Sequence, residues 1–170
     1  MKLNIRETAI FGMLGALMYA SKMIMEMLPN IHLIGVFIVA ITAVYRVKAL
    51  YPLYTFVFLT GMFGGFNLWW LPYLYIWLPL WGAAMLLPKN MPKKIAPLAY
   101  MLICSAHGFL YGTLYAPAQA LIFGLNFEGM IAWIAAGLPF DCIHGISNFF
   151  CGLLITPIIK ALRIASRQKL

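Results

Sequence analysis

The sequence predicts an all-α membrane protein: a bundle of six transmembrane helices, one domain over residues 1–170, with both termini cytoplasmic. Three observations carry this. Hydrophobic residues make up 64% of the chain and charged residues 9%, whereas a soluble chain is roughly 45–50% apolar and about 25% charged. The 12 basic and 4 acidic side chains cannot cover a water-soluble globule of this size. Apolar runs divide the chain, and the basic residues gather in alternate gaps between them. A disulfide-stapled secreted module, a disordered tail and a soluble enzyme are excluded. The net charge of +8 reads as a topology signal, not as a nucleic-acid surface, because the basic residues sit between apolar runs.

A helix needs about 20 apolar residues to cross a bilayer, with a range of ~17–25. The runs are 8–28, 31–46, 50–66, 71–87, 95–123 and 129–162. The first follows Lys2 and Arg6, as in a signal peptide. It continues to Leu28 without a small-residue cleavage site, so a retained helix is expected. The second is short and rests on the charge pattern. In the fifth, Pro117 removes an amide donor and is expected to kink the helix. The sixth is long, and Gly137-Leu138-Pro139 is expected to break it into an interfacial piece and the true span. Cys104, Cys142 and Cys151 lack CxxC spacing and lie in apolar segments, so they read as small buried thiols.

Charge orients the bundle. With six spans, one side collects Lys2, Arg6, Arg46, Lys48, Lys89, Lys93, Lys94, Lys160, Arg163, Arg167 and Lys169. The gaps at 66–71 and 124–129 hold no basic residue, and Lys22 lies within the first helix. Basic residues favour the cytoplasmic side, which places both termini there.

Ionisable groups inside a membrane need a reason. Gly15, Tyr19, Lys22 and Glu26 share one face of the first helix within about 60°, and Lys22 and Glu26, four apart, can pair. About a quarter turn away lie Gly12, Ala16 and Ala20. Their spacing lets another helix approach closely, in this chain or in a partner. On the sixth run, Asp141, His144, Gly145, Asn148 and Gly152 share a face about 100° wide. An acid, an imidazole and an amide there can converge on a ligand, with the glycines leaving room. The other reading is a polar cluster that pairs with Lys22 or caps the helix start. Tyr100, Cys104, His107 and Tyr111 form a stripe on the fifth run, where His107 reads first as a packing hydrogen bond. Trp70, Tyr73, Trp77 and Trp81 form a stripe on the fourth. Trp69 and Trp70 suit an interfacial belt; Trp77 and Trp81 are too deep for one and are either core or a stacking wall for a flat heteroaromatic ring.

The chain has no GxxxxGK[ST], HExxH or GxSxG motif. Ser105 with His107, or His144 with Ser147, has no supporting motif as a nucleophile and base. No catalytic activity, cofactor or metal is expected.

Six short helices, both termini inside and the small-residue stripe together resemble the substrate-binding S components of energy-coupling factor (ECF) transporters. The segment Leu28-Pro29-Asn30-Ile31-His32-Leu33-Ile34-Gly35 is similar to the family's loop over the outward pocket. The resemblance covers the whole chain. It implies a protein of the prokaryotic cell membrane that captures a vitamin or related micronutrient outside, docks on a transmembrane coupling subunit and two ATPases, and releases the substrate inside. It implies coupling-subunit contact at Gly12, Ala16 and Ala20, Gly12 standing where the pattern has alanine. It places the pocket at Glu26, Asn30, His32, Asn67, Trp69, Trp70, Tyr115, Gln119, Asp141, His144 and Asn148. The alternatives are a self-sufficient proton-coupled carrier using Asp141, His144 and Glu26, and an intramembrane enzyme or assembly factor.

Overall fold

The computed structural model describes residues 3–89 and 91–167, with Arg167 by its backbone alone. Lys2 and Lys169 lie outside the described residues. The described chain is helical throughout, with no strand: α1 Ile5–Met25, α2 Ile34–Tyr45, α3 Leu50–Gly64, α4 Leu78–Leu86, α5 Ala96–Phe109, α6 Tyr111–Phe123, α7 Phe127–Cys151 and α8 Ile155–Arg167. Short 3-10 turns join them at Arg46–Ala49, Leu68–Leu74 and Gly152–Leu154.

Three helical stretches are long and apolar enough to cross a membrane: Ile5–Met25, Ile34–Gly64 and Phe127–Ser166. The second is not one rod. Arg46 has φ 53 and ψ −122, outside the helical region, so α2 and α3 are separate helices meeting there. This conformation is rare for a residue with a side chain. The Arg46 guanidinium holds it by donating to the carbonyls of Ala84, Met85 and Leu87. These are the unpaired acceptors at the end of α4, where a cation is favourable.

The fourth expected run, 71–87, is a 3-10 turn followed by the nine-residue α4. Pro72 and Pro79 each remove an amide donor, so one regular α-helix does not form across them. The fifth run is divided at Leu110, and Pro117 lies inside α6. The division has a cause in α7. The amide of Gly112 donates to Asp141 Oδ1 at 2.9 Å, which takes it from the helical ladder. In the sixth run α7 continues through Gly137 and Pro139 to Cys151, and the irregular turn comes at Gly152–Leu154. Of the three thiols only Cys104 is buried; Cys142 is exposed and Cys151 half-buried.

α2 is the centre. Every residue from Ile34 to Thr42 is buried, as expected of a helix apolar on all sides. It packs against α4, α5 and α8, while α1 lies along α3 and α5 along α7. The α1–α3 contact is close because Gly15 sits against Pro52 and Thr55. The α5–α7 contact uses glycine twice. A Cβ on Gly108 would lie 2.7 Å from the His144 backbone, and one on Gly145 would lie 2.4 Å from the Phe109 ring. Ser105 Oγ donates to the Gly145 carbonyl at 2.8 Å, and Asn148 Nδ2 to that of Cys104 at 3.3 Å. Small residues and such bonds are what hold helices together in an apolar solvent. Gly145 of α7 and Gly152 just after it therefore seat α5: they face Phe109 and Met101 and leave no room for a ligand.

The two ends of the bundle differ. Arg6 donates to the Ala165 carbonyl at 3.0 Å, Lys48 pairs with Glu7, and Arg46 caps α4. The start of α1, the α2–α3 junction and the ends of α4 and α8 thus lie together. α1 carries 21 residues and is about 30 Å long, so Lys22 and Glu26 mark the other end.

Candidate functional site

At that other end lies a cavity of about 300 Å³. Its rim is the end of α1 and the connection to α2, with Lys22, Glu26, Asn30 and His32. Its inner wall is Tyr73 and Trp77 from the segment before α4, Tyr111 from α6 and His144 from α7. A second cavity of about 330 Å³ adjoins it, sharing Asn30, Tyr111 and His144 and adding Tyr115, Gln119, Trp133 and Asp141.

Local structure explains each position. α1 ends near Glu26, and the connection turns at Asn30, which has φ 61, a left-handed conformation that asparagine tolerates well. The turn brings His32 back over the bundle. Lys22 Nζ lies 2.5 Å from Glu26 Oε1, so the rim charges pair one helical turn apart. Tyr73 and Trp77 face inward because the 3-10 turn and the following bend aim both rings at the core; their rings meet edge to face at 5.7 Å.

The rings form a continuous wall. Tyr111 lies 4.9 Å from His144 and 5.8 Å from Trp77, and His32 lies 5.2 Å from His144 and 6.0 Å from Trp77. His32 lies in the connection outside the helices. Burial, followed by the neighbouring imidazoles of His144 and His107, holds its pKa down at about 3, so it is neutral at physiological pH. Four buried polar atoms along this wall have no hydrogen-bond partner in the protein: Trp77 Nε1, His32 Nδ1, His144 Nδ1 and Asp141 Oδ2. A buried polar atom left unpaired costs about 1–3 kcal/mol. The accessible face of such a wall is aromatic and suits a flat ring, while the four polar atoms lie just beneath it and come within reach of a ligand only when side chains shift.

The remaining expected site residues are distributed as follows. Tyr115 donates from its hydroxyl to the Trp69 carbonyl at 2.7 Å and stacks on Trp133 at 6.0 Å, which places Trp69 beside the second cavity without lining it. Trp70 donates from Nε1 to the Val57 carbonyl at 2.8 Å and is tied to α3. Asn67 stands just before the 3-10 turn without a side-chain capping bond and is exposed. Asn148 is buried between α7, α5 and α2, against Gly108 and Gly35, and lines neither cavity. Trp81 donates to the Arg46 carbonyl at 3.4 Å, so it belongs to the opposite end and is not part of the wall.

His107 donates from Nε2 to the Ile76 carbonyl at 2.8 Å and stacks on Trp77 at 5.6 Å. It backs the wall from behind. Neither serine contacts the imidazole it was paired with in the sequence: Ser105 donates to Gly145, and Ser147 to the carbonyls of His144 and Asn30. Asp141 is not the partner of Lys22, which pairs with Glu26. Tyr73, Tyr111 and Trp133 join the site without having been chosen from the sequence. Tyr73 and Tyr111 were visible in the sequence only as members of aromatic stripes, and Trp133 carried no signal there. Gly12, Ala16 and Ala20 are all exposed, and a Cβ on Gly12 would meet nothing within 4 Å. The stripe is not used for packing within the chain. No family model, curated protein or solved structure matches the sequence.

Proposed function

We propose that the chain is the substrate-binding subunit of an ECF-type importer. It captures a small vitamin-like heteroaromatic molecule at the outer face. It then delivers the molecule inward with a transmembrane coupling subunit and two ATPases. The observation that carries this is the ring-walled cavity of His32, Tyr73, Trp77, Tyr111 and His144, at the end of the bundle away from Arg6, Arg46 and Lys48 and with Lys22, paired to Glu26, on its rim. The exposed stripe of Gly12, Ala16 and Ala20 supports a coupling helix as the outside partner. The lack of a phosphate-binding loop fits energy supplied by other subunits.

The same reading has six crossings, both termini cytoplasmic, in a prokaryotic cell membrane. Arg6, Arg46, Lys48, Lys89, Lys93, Lys160 and Arg163 lie toward one end of the bundle, which supports that orientation. The fourth crossing is built from a seven-residue 3-10 turn and a nine-residue helix, about 28 Å of helix in all; the shortest is the second, in which the 12 residues of α2 reach about 18 Å.

The test is native mass spectrometry of the purified chain for a co-purified small molecule, followed by calorimetric titration and uptake into vesicles. A ring compound bound at a ratio of one, with uptake only when coupling subunit and ATPases are present, is expected. Uptake by the chain alone, driven by a proton gradient, favours the carrier reading instead.

A further inference from the structure

At the end opposite the cavity, a groove of about 430 Å³ runs between the α4–α5 connection, the start of α5 and the last helix. Lys89 and Lys93 reach it from the connection; Lys160 and Arg163, three apart, reach it from successive turns of α8. Among the described residues no carboxylate pairs with any of the four. The chain has 4 acidic residues in all, and none is available to them. Glu7 holds Lys48, Glu26 holds Lys22, Asp141 holds the Gly112 amide, and Glu128 sits in the first turn of α7, remote from α8. Four like charges converging without a counter-ion repel one another, so the groove favours an anion from outside the chain.

The rest of the groove is not suited to a bare anion. Its floor is Tyr100 and Ile159, both buried, and α5 forms an apolar side with Ala96 and Pro97. Beside it, Ile95 at the start of α5 and Leu98 and Leu102 along the helix are exposed, at 58%, 52% and 52%. Cations above and an outward apolar track beside them match a molecule with a phosphate head and hydrocarbon tails. Basic pockets between helices at the cytoplasmic face take such head groups.

We propose that this groove binds the head group of an anionic phospholipid, with the phosphodiester among Lys89, Lys93, Lys160 and Arg163 and the acyl chains along α5. The full chain, purified in neutral detergent, is mixed with equal phosphatidylglycerol and phosphatidylcholine and read by native mass spectrometry. Phosphatidylglycerol should be retained at least tenfold better. Each cation near an anionic head group is worth about fivefold, so Lys160→Gln with Arg163→Gln should reduce that retention at least tenfold. Lys89→Gln with Lys93→Gln, which leaves every helix untouched, should do the same if the α8 pair disturbs folding. Lys94→Gln, outside the groove, should change nothing. Millimolar inorganic phosphate should not displace the lipid. Equal retention of the two lipids, full retention in the Lys89/Lys93 variant, or displacement by inorganic phosphate overturns the assignment.

Discussion

Asp141 has two oxygens in different circumstances. Oδ1 accepts from the Gly112 amide at 2.9 Å and so caps the start of α6, while Oδ2 is buried beside the second cavity with no partner. Asp141→Asn keeps an acceptor for Gly112 and puts a donor where Oδ2 was. Its thermal stability should therefore change little, whereas Asp141→Ala should lose about 0.5–2 kcal/mol, the usual cost of a lost cap. If the ligand donates to Oδ2, Asp141→Asn should weaken binding about tenfold or more, since ~1.4 kcal/mol is a factor of ten. Calorimetric titration with the co-purified molecule measures this. Unchanged affinity in Asp141→Asn would leave the residue as a helix cap alone.

Glycine divides the helices into inward and outward faces. A Cβ on Gly108 would lie 2.7 Å from the backbone of His144, which cannot move aside as a side chain can. Gly108→Ala should cost about 1–3 kcal/mol of stability and displace His144, so it should also weaken ligand binding. Gly12 is the contrast: with open space around it, Gly12→Ala should be neutral or stabilising by up to about 1 kcal/mol. Thermal unfolding of both variants in one detergent checks the pair; equal loss would mean that the α5–α7 contact is not close. On the same outward face, Ala16→Trp or Ala20→Trp should leave ligand affinity unchanged and abolish assembly with the coupling subunit, because a bulky ring keeps a second helix away. Co-purification with the coupling subunit and ATPases is the readout, and normal assembly would assign the stripe to lipid.

For the whole molecule, orientation is the open quantity that a single labelling series reads. In a background with Cys104, Cys142 and Cys151 replaced by alanine, Leu68→Cys and Asn126→Cys should react with an impermeant thiol reagent from outside. Val47→Cys and Met91→Cys should react only after the membrane is opened. The gathering of Arg6, Arg46 and Lys48 with the ends of α4 and α8 motivates this. Outside labelling at position 91 would be incompatible with six crossings.

The sequence by itself determined the helical, membrane-type class, which follows from composition. It divided the apolar chain into six runs, where the structure has three helical stretches long and apolar enough to span; it allowed Lys22 to pair with Glu26 or with Asp141, and the structure has Glu26. It did not determine where helices stop. Apolar counting started α1 at residue 8, although Asn4 and Glu7 cap each other's ends of the first turn and start it at Ile5. It expected a kink at Pro117 and a break at Gly137-Leu138-Pro139, whereas α7 runs through Pro139 and the fifth run is divided at Leu110, next to the Gly112 amide that a carboxylate from another helix takes. The site divides in the same way. Glu26 and His144 could be chosen because charged and ionisable groups stand out in an apolar chain, whereas Asn30 and His32 were expected only from the resemblance of residues 28–35 to a family's pocket-covering loop. Tyr73 and Trp77 lay on a stripe with Trp70 and Trp81 that was either core or a stacking wall, and only the packing of the pre-α4 segment against α6 and α7 put Tyr73, Trp77 and Tyr111 on the cavity and left Trp70 and Trp81 off it. Asn148 shares a helix face with Asp141 and His144, yet it faces Gly108 and Gly35 instead of a cavity. A helical face is fixed by periodicity along the chain, but what stands opposite that face is fixed by a second helix, and that only the tertiary structure decided.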